Sequence, residues 1–380
     1  MHTARSTTIT MSLCVAAVLV LPDDASAAEP HPAALRAVLV DPESVTAAAV
    51  VRWKSEGFRA LVLDLDDSHV ADVYARSAEF AGAEHLPVYY WIEVGRNLAL
   101  AREHPEWLSA LGRHDDWHRR HPHAPLPKTG EVAKAWPWVP IGYRGAFTAH
   151  LARINRSLQR VPKGFRGLLL NDLQGGPASC GCGNLQCRWA YDYGVPATAD
   201  SLEGPDIAAR FLTEVRRHAP DKELIPIWTI ECEEADLPQR DPDKPSTGLC
   251  GSVRCAGSRC PSEWTKQWSA LLDSHRGPVG LLALHGELGR NGARYGDSAR
   301  WIDDALRYVE QTPKAHGGAS LPRSRLWLVI QGYELPAAEI EAAERRALQS
   351  GAAAVVVARR RIDQSYEPRI VVAKPRRRAR

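Results

Sequence analysis

Short apolar runs and amphipathic segments alternate along most of this chain. Each run ends in polar or acidic residues, as expected where a buried strand reaches the edge of a sheet. Eight such runs are present, and we predict strands at Ala37–Val40, Phe58–Leu65, Leu86–Val94, Gly167–Asp172, Leu224–Glu231, Gly280–Leu284, Arg325–Gln331 and Ala352–Ala358.

The segments between these runs have apolar positions at helical spacing. Ser44 is the predicted cap of the first helix, which continues to Glu56, and Gly351 ends a helix over Ala337–Gln349. Strand and helix alternate throughout, which predicts an α/β fold with a parallel sheet. A count of eight strands favours a closed (β/α)8 TIM barrel over an open doubly wound sheet.

Long irregular loops follow the third, fourth and fifth predicted strands. The first of these covers 96–143, and the last covers 233–261. Both exceed the usual length of a connection between a strand and a helix, and long loops in compact domains usually serve a function. We therefore expect the functional site on this side of the barrel.

Composition sets the broad limits on this protein. The chain has 380 residues, of which 44% are hydrophobic, so it can bury a large core. Its net charge of +3 is small, and no basic stripe with interleaved aromatic residues indicates a nucleic-acid partner. We assign 33–366 to one barrel domain and 367–380 to a basic C-terminal tail, whose Lys374–Arg380 segment is expected to be solvated.

The N-terminal residues 1–27 have the pattern of a secretory signal peptide. Arg5 precedes the apolar stretch Met11–Leu21, and Ala25-Ser26-Ala27 provides small residues suited to cleavage. The apolar stretch is too short for a mature transmembrane helix, and no later segment is long and apolar enough. We predict a secreted or periplasmic protein without a stable membrane anchor.

Polar residues at the ends of the predicted strands are the candidates for chemistry, because TIM barrels carry their sites there. Neighbouring carboxylates raise each other's pKa, and glycoside hydrolysis uses two of them. The interpretation has a structural alternative, since a carboxylate in this place often only caps the next helix. The candidate catalytic residues are Asp172, Glu334 and Glu287, and the candidate substrate-binding residues are Asp41, Asp64, Trp91, Glu93, Asn171, Trp228, Glu231, His285, Gln331, Tyr333 and Arg359.

Several motifs follow one another from the third predicted strand to the fourth. They are Tyr90-Trp-Ile-Glu-Val-Gly-Arg-Asn, His104-Pro-Glu-Trp-Leu, the Trp-Val-Pro stretch at Trp138, and Gly167-Leu-Leu-Leu-Asn-Asp. This arrangement, over Val88–Trp189, resembles the glycosyl-hydrolase-like TIM-barrel families of bacterial secreted proteins. The resemblance implies a carbohydrate substrate or ligand. From the carboxylates at the strand ends we predict a secreted glycoside hydrolase, with Asp172 as acid and base and Glu334 or Glu287 as its partner.

One residue departs from the pattern of those families. Asn171 stands where the families have the first Asp of the fourth strand, and an amide cannot act as a general acid. Either Asp172 does the work from a shifted register, although a shift of one residue changes the face of a strand, or the site binds sugar without cleaving it. The alternatives to a hydrolase are thus a non-catalytic carbohydrate-binding barrel and a barrel that carries a structural metal.

Seven cysteines remain after the predicted signal peptide is removed. Cys180, Cys182 and Cys187 follow the fourth strand, Cys232 follows the fifth, and another three lie at equal spacing in 250–260. Export favours disulfides, which would join the loops at the rim of the barrel. Thiolate ligation of zinc by Cys180, Cys182, Cys187 and Cys232 is the alternative, and apart from such a structural zinc we expect no cofactor.

Overall fold

The computed structural model describes 34–110, 131–173, 202, 206–229, 269–284, 302–303, 305–306, 309–310, 319–362 and 367–372. These residues belong to one compact unit, Ala33–Arg380.

Eight parallel strands close into a barrel, which confirms the predicted (β/α)8 fold class. The strands are β1 (Leu35–Val40), β2 (Ala60–Asp64), β3 (Val88–Glu93), β6 (Gly167–Asn171), β7 (Glu223–Thr229), β8 (Val279–Ala283), β9 (Leu326–Gln331) and β10 (Ala354–Ala358). Around the barrel the order is β1, β10, β9, β8, β7, β6, β3 and β2, with β2 pairing again with β1.

Both faces of the barrel strands are buried, and this explains why each strand is apolar at almost every position. Alternate residues fill two separate cores. The inner core fills the barrel and includes Leu169 and Trp91. The outer core packs between strands and helices and includes Leu168 and Trp228. Neighbouring residues of one strand therefore belong to different cores.

Helices cover the outside of the barrel between the strands. They are α1 (Ala47–Ser55), α2 (Ala71–Ala83), α4 (Arg144–Gln159), α5 (Ile207–His218) and α6 (Ala337–Leu348), and 269–274 are also helical. Helix α3 (Leu98–Glu103) lies in the loop after β3, where Ala101 packs in a separate small apolar cluster. None of the helices in the described residues is long and apolar enough to cross a membrane.

The first helix begins later than the sequence predicts. Thr46 caps α1, since its side chain accepts a hydrogen bond from the Ala49 amide at 3.1 Å. The predicted cap, Ser44, instead ends a short 3-10 helix and donates its hydroxyl to the Asp41 carbonyl at 2.7 Å. The prediction of a cap at Ser44 was therefore wrong.

A small antiparallel sheet forms in addition to the barrel, and two of its strands come from the long loop after β3. It consists of β4 (Ser109–Ala110), β5 (Glu131–Trp136) and β11 (Glu367–Val372), with β5 in the centre. Part of the loop predicted to be irregular, and the first residues of the predicted C-terminal tail, thus form regular structure. The Arg369 guanidinium of β11 lies 3.6 Å from the ring centre of Trp136. Residues 373–380 lie outside the described residues.

Lys134 holds the base of this small sheet together. Its ammonium group is buried and donates to the carbonyl oxygens of Leu108 at 2.7 Å and Glu106 at 3.2 Å, and to the Tyr143 hydroxyl at 3.1 Å. A buried lysine is stable only where its donors are satisfied. Here they are satisfied by neutral oxygens, and the loop after β3 is tied to the start of α4 as a result.

Candidate active site

Four polar residues end the inner rows of their strands at the carboxyl-terminal mouth of the barrel. Asp64 ends β2, Glu93 ends β3, Asn171 ends β6 and Gln331 ends β9. Each lies two positions after a residue of the inner core, so its side chain continues the row that faces the barrel axis. These predicted site residues are therefore brought to one place by the fold.

Glu93 is held by hydrogen bonds on both carboxylate oxygens. The Trp91 indole donates to Oε1 at 2.7 Å, and the Asn171 amide nitrogen donates to Oε2 at 2.8 Å. Glu93 and Asn171 are register partners across β3 and β6, which explains why their side chains meet. Glu93 is therefore an oriented acceptor at the mouth of the barrel.

Asn171 retains one polar atom without a partner. The residue is completely buried, and its Oδ1 makes no hydrogen bond to any described residue. The amide cannot be turned around, because Oδ1 would then face the carboxylate oxygen of Glu93 at hydrogen-bond distance. A buried acceptor is thus left at the mouth of the barrel.

Asp172 follows β6 in a left-handed backbone conformation, with φ at 62°. Asp adopts this conformation more readily than most residues, although it remains uncommon. The carboxyl group packs on Gly95 just after β3, where a Cβ would lie 3.1 Å from Asp172 Oδ2. Burial raises the pKa of Asp172 well above its ordinary value, and the charge of Glu93 raises it further. Burial at the mouth of the barrel therefore favours the protonated form of Asp172.

Asp64 and Arg360 form a second polar group at the mouth. Arg360 Nη1 lies 2.8 Å from Asp64 Oδ1, and Arg360 Nε lies 3.0 Å from Asp41 Oδ1. The contact with Asp64 is an ion pair without an aligned hydrogen bond. Ion pairing lowers the pKa of a carboxyl group, but burial outweighs it here and raises the pKa of Asp64 to about 7, with further contributions from neighbouring carboxylates including Glu93.

Arg153 of α4 supports the end of β3 from behind. Its side chain is buried, and Nη2 donates to the backbone carbonyl of Glu93 at 2.7 Å. Burial lowers the pKa of Arg153, while the charges of Asp67 and Glu93 act in the opposite direction. The guanidinium thus fixes the backbone from which the Glu93 side chain projects.

Two predicted binding residues face away from the barrel mouth. Trp228 is completely buried in the outer core, against the helices, and cannot stack on a ligand inside the barrel. Arg359 binds Glu56 at 2.7 Å and lies over the ring of Phe58, again on the outer side. Both predictions were wrong because alternate residues of a strand point to opposite faces.

The structure gives the two predicted residues after β9 separate positions. Glu334 is exposed, with its side chain 59% accessible, and its Oε1 lies 3.7 Å from Arg361 Nη1. Tyr333 packs against the inner core, and its backbone carbonyl accepts a hydrogen bond from Gln331 at 3.0 Å. Its hydroxyl also accepts a hydrogen bond from the Ile362 amide at 3.1 Å. Tyr333 thereby joins the segments after β9 and β10.

The remaining predicted site residues lie outside the described residues. They are Glu231, His285, Glu287 and the four candidate metal ligands Cys180, Cys182, Cys187 and Cys232. Within the part of the chain that is described, no group of three or more His, Cys, Asp or Glu side chains could hold a metal ion.

The sequence reasoning missed Arg360, Gly95 and Arg153. The signal for Arg360 is its spacing, since it continues the inner-core row of Ala354, Val356 and Ala358, but this row can be recognised only once the structure shows which face of β10 points inward. Arg153 carries no such signal, since a basic residue on a helix is usually solvated.

Comparison with known proteins shows similarity at the level of the fold. No known protein-family model matches the chain, and no curated protein matches it in sequence. The chain is similar to active domain 2 of the thermostable chitinase from Pyrococcus furiosus, with 10% identity, coverage of 86% of this chain and 84% of that one, and a TM-score of 0.41.

Two other solved structures show similarity of the same order. A β-galactosidase from Halorubrum lacusprofundi has 10% identity, with coverage of 86% and 52% and a TM-score of 0.45. An HpcH/HpaI aldolase from Desulfitobacterium hafniense has 10% identity, with coverage of 86% of each chain and a TM-score of 0.34. Similarity at this level concerns the path of the chain and not its chemistry.

Proposed function

We propose that this protein hydrolyses a glycosidic bond at the mouth of the barrel. The observation that carries the proposal is that two carboxyl groups at the barrel mouth, which interact electrostatically, lie in different environments. Asp172 is buried with a raised pKa, whereas Glu93 accepts hydrogen bonds from Trp91 and Asn171. Such a difference separates the proton donor from the acceptor in carboxyl-dependent hydrolysis.

The chemistry assigns one role to each carboxyl group. Asp172 gives its proton to the glycosidic oxygen as the bond to the anomeric carbon breaks. Glu93 takes a proton from the water whose oxygen joins that carbon. Proton exchange with solvent then restores both groups. Glu93 takes the partner role here because it is close enough for its charge to raise the pKa of Asp172. Glu334, in contrast, contacts Arg361 at the exposed rim.

A screen for new reducing ends on polysaccharides and aryl glycosides tests this proposal. Asp172→Asn and Glu93→Gln should each reduce turnover about a hundredfold or more, as expected for loss of general acid or base catalysis. Glu341→Gln is the matched control, because Glu341 is exposed on α6 and its loss changes charge alone. Unchanged turnover in the Asp172 variant would remove that residue from the mechanism.

A carbohydrate-binding barrel without catalysis is the second candidate function. Asn171 favours it, because an amide stands at the inner end of β6 where the resembling families carry an acid. This function predicts glycan binding by the folded protein with no turnover, and binding that Asp172→Asn leaves intact. Titration calorimetry beside the reducing-end assay separates the two functions.

Export from the cytoplasm is a further part of the proposed function. It rests on the signal-like pattern of 1–27. Mass spectrometry of protein recovered outside the cytoplasm should give a mature chain that begins near Ala28. A full-length chain confined to the cytoplasm would contradict export.

A further inference from the structure

The described polar groups at the barrel mouth direct their donors at the protein itself. Trp91 and Asn171 donate to Glu93, and the Gln331 amide donates to the Tyr333 carbonyl. Arg360 is paired with Asp64 and Asp41. Trp91, Asn171 and Gln331 therefore use these donors on protein oxygens before any ligand arrives.

The side-chain oxygen of Asn171 differs from these donors, because no group of the described residues donates to it. Asn171 Oδ1 is buried without a partner, and its orientation is fixed by the contact between Nδ2 and Glu93. Native proteins rarely leave a buried acceptor without any partner, so we expect a group other than the described protein atoms to donate to this oxygen. The carboxyl group of Asp172 lies on the same turn, beside Gly95.

We propose that Asn171 determines specificity by accepting a hydrogen bond from the ligand through Oδ1. The ligand is a carbohydrate that presents a donor at this position, either a free hydroxyl or a protonated amino group. An anionic sugar, such as a uronate, would place carboxylate oxygens where Asn171 Oδ1 requires a donor, and it would meet the charge of Glu93. The inference rests on the proposed carbohydrate function and narrows its substrate class.

Three oligosaccharide probes test the inference by titration calorimetry on the mature chain. They are cello-oligosaccharides with free hydroxyls, chitosan oligosaccharides with amino groups, and oligogalacturonides with carboxylates. Binding of either donor probe, at least tenfold tighter than the oligogalacturonide, is expected. The relative affinity of the first two probes distinguishes a hydroxyl from an amino group.

Two variants separate the role of Oδ1 from that of Glu93. Asn171→Leu removes both the free acceptor and the hydrogen bond to Glu93, and should weaken donor-probe binding roughly tenfold while leaving the oligogalacturonide unaffected. Trp91→Phe removes the other hydrogen bond to Glu93 but retains Oδ1. It should preserve the preference for donor probes over the anionic one.

The results also distinguish this inference from the hydrolytic function. Preferred binding of the anionic probe, an equal preference in wild type and Asn171→Leu, or no binding of any probe would overturn the inference. Turnover of an anionic glycan would overturn the inference and support hydrolysis. Donor-probe binding without turnover would support the inference and contradict hydrolysis.

Discussion

Replacement of Asp64 by Asn should change how the stability of the protein depends on pH. Asp64 is buried at the end of β2, and its pKa is raised from 3.8 to about 7. The folded state therefore holds this proton over a range of pH in which the unfolded chain releases it. Stability from this group is complete below the unfolded pKa and is lost as pH rises through the folded pKa.

The pKa difference sets the size of the effect. A shift from 3.8 to about 7 corresponds to about 4 kcal/mol in the free energy of unfolding across the whole range. Between pH 5 and pH 7, about 2 kcal/mol of this should be lost from the wild type and not from Asp64→Asn, since the folded group is half titrated at the upper limit. Asp172 is present in both proteins, and its contribution cancels in the comparison.

Urea unfolding of both proteins at pH 5, 6, 7 and 8 measures this difference. Glu341→Gln serves as the control for loss of an exposed carboxylate, and its profile should follow the wild type. If the wild type instead gained stability over Asp64→Asn as pH rises, the ion pair with Arg360 would outweigh burial. Parallel stability profiles of the wild type and Asp64→Asn would show that Asp64 has the same pKa in the folded and unfolded states. Either result would refute the reasoning.

Three other predictions concern the framework of the site. Lys134→Met should lower the unfolding free energy by about 3 kcal/mol in urea, because the Leu108 carbonyl and two other oxygens lose a buried donor. Gly280→Ala should cost about 2 kcal/mol, since the new Cβ would lie 2.0 Å from Ile227 Cδ1, and Ile227→Val should recover part of it. Truncation after residue 366 removes β11, and hydrogen exchange in β5 should increase.

The barrel could be predicted because each strand is an apolar run bounded by turn-forming or helix-forming residues. All eight barrel strands overlap the predicted runs, and strand ends agree closely where an acidic or amide residue follows the apolar run, as at Asp64 and Asn171. Burial on both faces makes such runs continuous, and turn or helix-forming residues separate them clearly.

The direction of each side chain could not be predicted for the same reason. A strand that is apolar on both faces has no alternation to show which residues point inward. Trp91 and Trp228 look alike in the sequence, yet the first lies in the inner core and the second in the outer one. Arg359 and Arg360 are adjacent, and only Arg360 reaches the carboxyl groups at the mouth.

The small sheet was missed because its pairing is distant along the chain. β5 has its main partner in β11, near the other end of the protein. Periodicity within a short segment cannot show such a pairing, and the local pattern of β5 is confused by Lys134, which is charged but buried. Its burial depends on oxygens from the surrounding loop and helix, which no local pattern encodes.

The backbone conformation at Asp172 answers the objection that a shift of one residue would place this proton donor on the other face of the strand. In an extended strand, Asp172 would face away from the side occupied by Asn171, because successive residues alternate. The strand ends at Asn171, however, and φ of 62° turns Asp172 out of that alternation. Its carboxyl group then packs beside Gly95, where the chain leaves β3 just after Glu93. A side chain larger than hydrogen at position 95 would meet the Asp172 carboxyl at close contact distance. The glycine after β3 and the left-handed turn after β6 therefore act together, and the order Asn-Asp is compatible with an acid next to Glu93.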